Sequence, residues 1–245
     1  MRIIILFIFS ILTGCHVIQP VTGISYKGYP VGKTTERDSS YINMLRPYSD
    51  SVGKTMNQVL VYASNDLKKE LPNSSLGNFL ADAYLAMARK KFNPQTDVAF
   101  MNHGGVRIPR IPAGPIIKGT IYEVMPFDNV LVLVEVKGAV LAAYLDRIAA
   151  EGGGGGVAGL TMVIKNRKAN EVYIGGVPID LEKTYVMANS DYVVDGGGGF
   201  NGLKQLPQQR TSYLLRESIV EYCAAMGAEG KKINDQTPIR IIVHE

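Results

Sequence analysis

Cysteine is nearly absent from this 245-residue chain. Cys15 and Cys223 are the only two, too few for a disulfide framework. Cys223 sits in the helical pattern Ile219, Tyr222, Cys223, Met226 and reads as a small buried apolar residue. Histidine is scarce as well. His16, His103 and His244 are the whole set, with His16 near the N-terminus and His244 next to the end. A dinuclear hydrolytic metal centre, which needs several His, Asp and Asn ligands, is therefore not expected in this chain. Charge is thin: 26 basic against 22 acidic residues give a net +4, and no long basic run concentrates it. The densest basic stretches, Arg89-Lys90-Lys91 and Lys231-Lys232, suit helix C-termini, and no interleaving of aromatics with basic residues points to nucleic acid. Long apolar runs are missing too. The N-terminal one, residues 3–12, falls well short of the roughly 20 residues of a membrane-spanning helix. There is no internal repeat.

What the N-terminus does have is the length of a signal-peptide apolar region behind Arg2, ending in Leu12-Thr13-Gly14-Cys15. This resembles the lipobox of bacterial lipoproteins. Small residues before the cut let the backbone enter a peptidase site, and the Cys15 thiol takes the lipid. The expectation is an exported lipoprotein, held on the periplasmic or cell-surface face of a membrane by acyl chains at about 0.8 kcal/mol per buried methylene. Residues 1–14 are then the leader. Residues 15–55, rich in Gly, Pro, Ser and Thr, form the lipidated N-terminus, a tether and an edge segment, with a helix within Thr34–Met56 packed on the domain edge. Residues 56–245 form the folded domain.

The hydrophobic fraction, 46%, is enough for a packed core. Val59–Ala63 reads as a strand. Ser74–Lys91 reads as a helix, with Leu76, Phe79, Leu80, Ala83, Met87 and Ala88 at helical spacing, a serine cap and a basic end. Asp97–Met101 and Val130–Val136 are buried strands. Lys137–Ala149 is a second helix, broken by glycines 152–156 into a flexible loop. Strands follow at Leu160–Lys165, Glu171–Ile174 and Thr184–Asn189, with Gly175-Gly176 turning between two of them. A third helix is expected over Ser212–Met226 and a last strand over Pro238–Val243. Helices and hairpins are mixed rather than alternating, which predicts an α+β fold: a mixed sheet with packed helices.

Three loops carry the residues that suit ligand chemistry. Asn102-His103-Gly104-Gly105-Val106-Arg107 follows a strand. Its glycines let backbone amides approach a ligand, and Arg107 suits phosphate or carboxylate. It lacks the Gly-Lys-Ser/Thr ending of a P-loop. Met125-Pro126-Phe127-Asp128-Asn129 precedes the long strand and offers a ring and a carboxamide. Asn189–Phe200 carries Tyr192, Asp195, four consecutive glycines and Phe200, and aromatics beside a glycine-rich loop suit a flat ligand. Alone, the first loop is equally a tight turn with a solvated Arg, a lone Phe127 reads first as a loop aromatic tucked into the core, and the third loop also reads as a surface loop with two packed rings.

In order, these loops resemble the C-terminal domain of the 5'-nucleotidases and UDP-sugar hydrolases: Asn-x-Gly-Gly-[Ile/Val]-Arg at Asn102–Arg107, Pro-Phe-x-Asn at Pro126–Asn129, and an aromatic followed by a glycine-rich turn at Tyr192–Phe200. Leu76-Gly77-Asn78 and Ala81-Asp82 look like the family's opening helix. The resemblance spans about residues 55–243 and implies that family's fold for the domain. It implies a substrate-binding role in which Asn102 belongs to the first loop, Arg107 meets phosphate, Phe127 and Tyr192 sandwich a base, and Asn129 hydrogen-bonds it, with Gly159 beside the base. Two departures stand out. Gly198 occupies the position of the family acid that holds ribose hydroxyls, and Asp195 lies three positions earlier. Upstream of the first helix, where some members carry phosphate-binding arginines, this chain has Asp66, Lys68, Lys69 and Glu70.

The resemblance further implies that hydrolysis belongs to a metallophosphatase domain, which the chain before residue 55 is too short to build. His103 beside Arg107 is an acid–base candidate without a matching nucleophile, so no catalytic residue is assigned and no cofactor is expected in this chain. Divalent metals are expected only in a separate partner chain. Three readings follow. The chain is a nucleotide-binding module that completes a hydrolase with a separate metallophosphatase, or a surface protein that captures nucleosides, nucleotides or another ring-bearing ligand for uptake, or a degenerate domain kept for an interaction surface.

Overall fold

In the computed structural model, the structure describes residues 23, 25–30, 32, 36–234 and 239–244. Cys15 and the leader lie outside them. The chain divides into Met1–Arg46 and Pro47–Glu245, and the fold below belongs to the second unit. Helix α1 spans Ser39–Met56, within the stretch where the sequence places a helix, and buries none of its residues.

The elements then follow in order: β1 Val59–Ala63, β2 Leu67–Lys68, α2 Ser75–Lys91, β3 Val98–Met101, β4 Arg110–Ile111, β5 Gly114–Ile117, α3 Lys118–Val124, β6 Val130–Lys137, α4 Gly138–Ala150, β7 Gly156–Ala158, β8 Leu160–Lys165, β9 Lys168–Ile174, β10 Val177–Pro178, β11 Thr184–Ser190, α5 Asp191–Val194, β12 Gln208–Leu214, α6 Leu215–Ala228, β13 Lys232–Ile233 and β14 Ile241–His244. The fold is α+β with mixed sheets, as the pattern of hairpins and helices predicted.

A five-stranded sheet in the order β12-β6-β11-β3-β7 is the centre of the fold. The Val-Leu-Val-Leu-Val run of β6 is apolar throughout because both faces of this sheet are covered. Leu131 and Leu133 point into one core with α2 and α6 (Leu76, Leu80, Ile219, Cys223). Val132, Val134 and Val136 point into the other, with α4 (Leu141, Leu145) and the four-stranded sheet β10-β9-β8-β14 (Met162, Ile164, Val172). The period-2 alternation of a strand thus builds three layers. Both cores lose stability together if register slips by one residue.

Helix α2 begins where the sequence marks it: the Ser74 side chain accepts from the Gly77 amide at 2.9 Å. Arg89 near its end donates to the Thr96 carbonyl at 2.8 Å. The Gly175-Gly176 turn is a tight hairpin with both residues at positive φ, 59° and 82°, and Ile174 pairs with Val177 across it.

Two local readings change. Ser212–Leu214 is not helix but the end of β12, whose Leu214 pairs with Val130. The Thr211 hydroxyl donates to the Leu131 carbonyl at 2.7 Å, and edge pairing wins over helix propensity until Leu215. Glycines 152–156 are not a loose loop: Gly153, Gly155 and Gly156 are buried and Gly156 opens β7. A Cβ on Gly77 would lie 1.1 Å from the Gly155 carbonyl oxygen, so α2 and this segment touch backbone to backbone. Asn78 seals the contact by accepting from the Val157 amide at 3.0 Å. At the far side of α2, Asp82 and Arg240 form a two-pronged pair at 2.8 and 2.9 Å that ties the segment before β14 to the helix, with burial raising the Asp82 pKa against the pull of Arg240.

Candidate functional site

Topology gathers the three loops. β3 runs parallel to β11, and β6 runs antiparallel to β11, with Ala99 beside Ala188 and Leu131 opposite Ser190. The C-terminal ends of β3 and β11 therefore meet the N-terminal end of β6 at one edge of the sheet. Asn102–Arg107, Pro126–Asn129 and Asp191–Phe200 all leave from that edge, where irregular backbone carries ligand-binding groups on a rigid frame.

The first loop makes a 3-10 turn over His103–Gly105 and comes back buried at Val106. The Arg107 amide donates to the Val124 carbonyl at 2.9 Å, which turns the exposed side chain towards the second loop. Its guanidinium lies 5.6 Å from the centre of the Phe127 ring and also donates to the Gly104 carbonyl at 3.2 Å. Half-buried Lys69 joins from the segment before α2, its ammonium donating to the Val106 carbonyl at 2.9 Å. Burial, then the Arg107 charge, push the Lys69 pKa down. Burial, then Lys69, push His103 down, while Glu151 opposes them. Among the described residues no carboxylate closes an ion pair with Lys69 or Arg107. Two cations brought together without a counter-ion suit an anion. Lys69 was noted in the sequence only as standing where some family members carry arginines and was given no role, because it falls in a mixed run, Asp66 to Glu70, and lies 38 positions from Arg107.

The second loop is held from below by the start of α6. Arg216 donates to the Phe127 carbonyl at 3.1 Å and to the Asp128 carboxylate at 2.7 Å, with its guanidinium 4.4 Å from the Tyr122 ring centre. The Leu215 amide donates to the Asn129 carbonyl at 2.9 Å. This grip leaves the Phe127 ring 37% exposed. No spacing in the sequence connects Arg216 with Phe127, 89 positions away.

Asn129 joins the second loop to the third. Its carboxamide donates to Asp191 Oδ1 at 2.8 Å, and the same oxygen accepts from the Tyr192 amide at 2.8 Å and the Val130 amide at 3.3 Å. Tyr192 is thereby fixed beside Asn129 with its side 53% exposed. Gly197 folds over it: a Cβ there would lie 2.5 Å from two ring carbons of Tyr192. Asp195 is bound by both terminal nitrogens of Arg210, one at 3.1 Å, which holds its carboxyl below the usual range. Arg147 donates to the Gly198 carbonyl at 3.2 and 3.3 Å. Phe200 turns inward and packs on Tyr144 at 5.3 Å, so the exposed ring of this loop is Tyr192.

The structure thus brings Asn102, Arg107, Phe127, Asn129 and Tyr192 to one edge and adds Lys69. Gly159 is not brought there. At φ +79° it packs against the Asp97 carbonyl, five residues and roughly 16 Å along β3 from Asn102. The glycine that abuts the first loop is Gly155, where a Cβ would fall 2.4 Å from the His103 amide nitrogen. Among the described residues no group of three or more His, Cys, Asp and Glu side chains could hold a metal ion. No helix among them is long and apolar enough to cross a membrane.

Residues 51–205 match the family described as "5'-nucleotidase, C-terminal domain". The chain is 28% identical to a Vibrio vulnificus 5'-nucleotidase over 197 residues, covering 76% of this chain and 34% of that protein. It is 30% identical to the UshA protein of Yersinia enterocolitica over 192 residues, covering 76% and 34%. The crystal structure of a 5'-nucleotidase precursor from Thermus thermophilus superposes with a TM-score of 0.72 at 32% identity, over 84% of this chain and 43% of that one. The chain therefore spans about a third of the length of the curated relatives it matches.

Proposed function

This chain belongs to the 5'-nucleotidase C-terminal domain family, and on that premise we propose that it is the nucleotide-binding module of a 5'-nucleotidase-type hydrolase, working with a metallophosphatase carried on a separate chain. The observation that carries the reading is the single edge on which Arg107 and Lys69, Phe127, and Asn129 with Tyr192 come together. The two cations suit the phosphate, the two half-exposed rings suit the faces of a base, and the Asn129–Asp191 bond sets the spacing between the ring-bearing loops. In this proposal the module binds and orients the nucleotide. The divalent metals, and the water they activate, belong to the partner. A lipid on Cys15 holds the module on an exported membrane face and raises its effective concentration beside a partner anchored on the same face.

The test uses the Cys15→Ser protein, purified from the soluble fraction. Adenosine 5'-monophosphate should bind in calorimetry, and Phe127→Ala and Arg107→Ala should each weaken it about tenfold. Addition of the module to an exported metallophosphatase from the same cell should raise hydrolysis. Binding without any gain in hydrolysis leaves a capture protein, and no binding sinks the proposal. Labelling of the full-length chain with fatty acid, lost in Cys15→Ala, tests the anchor.

A further inference from the structure

A narrow cavity opens between the first and third loops. It has a volume of about 50 Å³, too small for a base or a sugar ring but ample for hydroxyl groups. Its polar lining is Asn102, His103, Arg147, Glu151 and the Gly198 backbone, over a floor that includes Tyr144. The ligand group that enters is decided by which of these residues is free to act.

Carboxylates are the groups best suited to hold a sugar's vicinal hydroxyls, because two oxygens accept two donors. Three of the four carboxylates near these loops are committed elsewhere. Asp128 is bound by Arg216, Asp191 by the Asn129 side chain and two backbone amides, and Asp195 by both arms of Arg210. None of the three lines the cavity. Glu151 does. It stands at the C-terminal cap of α4, and Arg147 one turn earlier holds it at 2.6 Å. The Arg147 nitrogen that holds Glu151 also donates to the Gly198 carbonyl at 3.2 Å, so one guanidinium fixes the carboxylate against the glycine loop. That leaves Glu151 three further lone-pair sites. His103 lines the same cavity. With its pKa held low by burial and by Lys69, it is neutral near pH 7 and offers one donor and one acceptor.

We infer that Glu151, positioned by Arg147, accepts hydrogen bonds from the vicinal hydroxyls of the ligand's ribose, and so selects ribonucleotides over sugars lacking those hydroxyls. This rests on the nucleotide-binding reading and adds to it the group that reads the sugar.

The test compares adenosine 5'-monophosphate with its 2',3'-dideoxy analogue by calorimetry on the Cys15→Ser protein. The wild type should prefer the ribonucleotide about tenfold or more, the range for hydrogen bonds to a charged acceptor. Glu151→Gln should collapse that ratio towards one while leaving the affinity for the dideoxy compound within about threefold. The ratio matters because removal of a negative charge near Lys69 and Arg107 changes phosphate affinity for both compounds equally. The Glu151 side chain is 52% exposed, so the variant should keep the wild-type melting temperature. A ratio unchanged by Glu151→Gln overturns the inference, as does a wild type with no preference. Failure of the wild type to bind either nucleotide removes the nucleotide-binding reading together with this one.

Discussion

Replacement of Gly77 by Ala tests whether the glycine segment is a built part of the site. A methyl group there would fall 1.1 Å from the Gly155 carbonyl oxygen, 2.2 Å from its carbon and 2.9 Å from the Gly156 nitrogen. Ordinary contact begins at 3.4 Å, so α2 and residues 155–156 would have to part by about 2 Å. Both are backbone and neither can rotate away. Overpacking of this kind costs about 1–3 kcal/mol. Separation also stretches the buried bond from the Val157 amide to Asn78, now 3.0 Å, which adds about 1–3 kcal/mol if it is lost. The sum, about 2–6 kcal/mol with its middle near 4, corresponds to a fall of roughly 10 °C in Tm for a domain of this size. Thermal unfolding by circular dichroism measures it. The same change at Gly53, half-buried on α1 with its nearest neighbour at 3.6 Å, should be neutral or gain about 0.5–1 kcal/mol. Because Gly155 abuts Asn102 and His103, ligand affinity should fall along with stability. A Gly77→Ala protein that melts within about 1 °C of wild type would refute the reasoning.

Arg216→Met removes two bonds to the second loop and should weaken nucleotide binding about tenfold, with Arg216→Lys recovering part of it; equal affinity in all three proteins would show that the loop holds itself. Lys69→Met should lower the affinity for adenosine 5'-monophosphate about tenfold and leave that for adenosine unchanged, and the wild-type preference for the phosphorylated form should shrink with added salt. Burial pushes the Cys223 thiol up to about 12, so it stays protonated in the folded state. In the Cys15→Ser protein, reaction with a thiol reagent should stay negligible from pH 7 to 9.5 and appear only on unfolding, whereas a free thiol would gain reactivity across that window. Rapid labelling at pH 8.5 in the native state would contradict the buried placement.

The elements most legible in the sequence were those with a strong period and a chemical end. Helix α2 has apolar spacing, a serine cap and a basic end, and it starts within one residue of its expected position. Strand β6 announced its burial on both faces by unbroken Val and Leu. Helix α3 was invisible because seven residues are too few to show a helical period, and β12 was absorbed into the helix that follows it. The glycine run was misread because a glycine tract looks the same whether it is loose or pressed against another backbone; only the partner, Gly77, distinguishes them. At the site, Asn102, Arg107, Phe127, Asn129 and Tyr192 were legible because each stands in a compact motif. Lys69, Arg216 and Glu151 were not: Lys69 reaches Val106 across 37 positions and Arg216 reaches Phe127 across 89, and Glu151, though paired with Arg147 one turn earlier, comes to line a cavity with His103 only through the fold.

The central claim is that one edge of the five-stranded sheet binds a nucleotide through Arg107, Phe127 and Tyr192. Calorimetric titration of the Cys15→Ser protein with adenosine 5'-monophosphate, beside Tyr192→Ala, tests it most directly. Tyr192 is 53% exposed and its backbone is held by Asp191, so its truncation should leave the fold intact. The account predicts saturable one-to-one binding that weakens about tenfold when the ring is removed. Binding that is unchanged in Tyr192→Ala, or absent from the wild type, would contradict it.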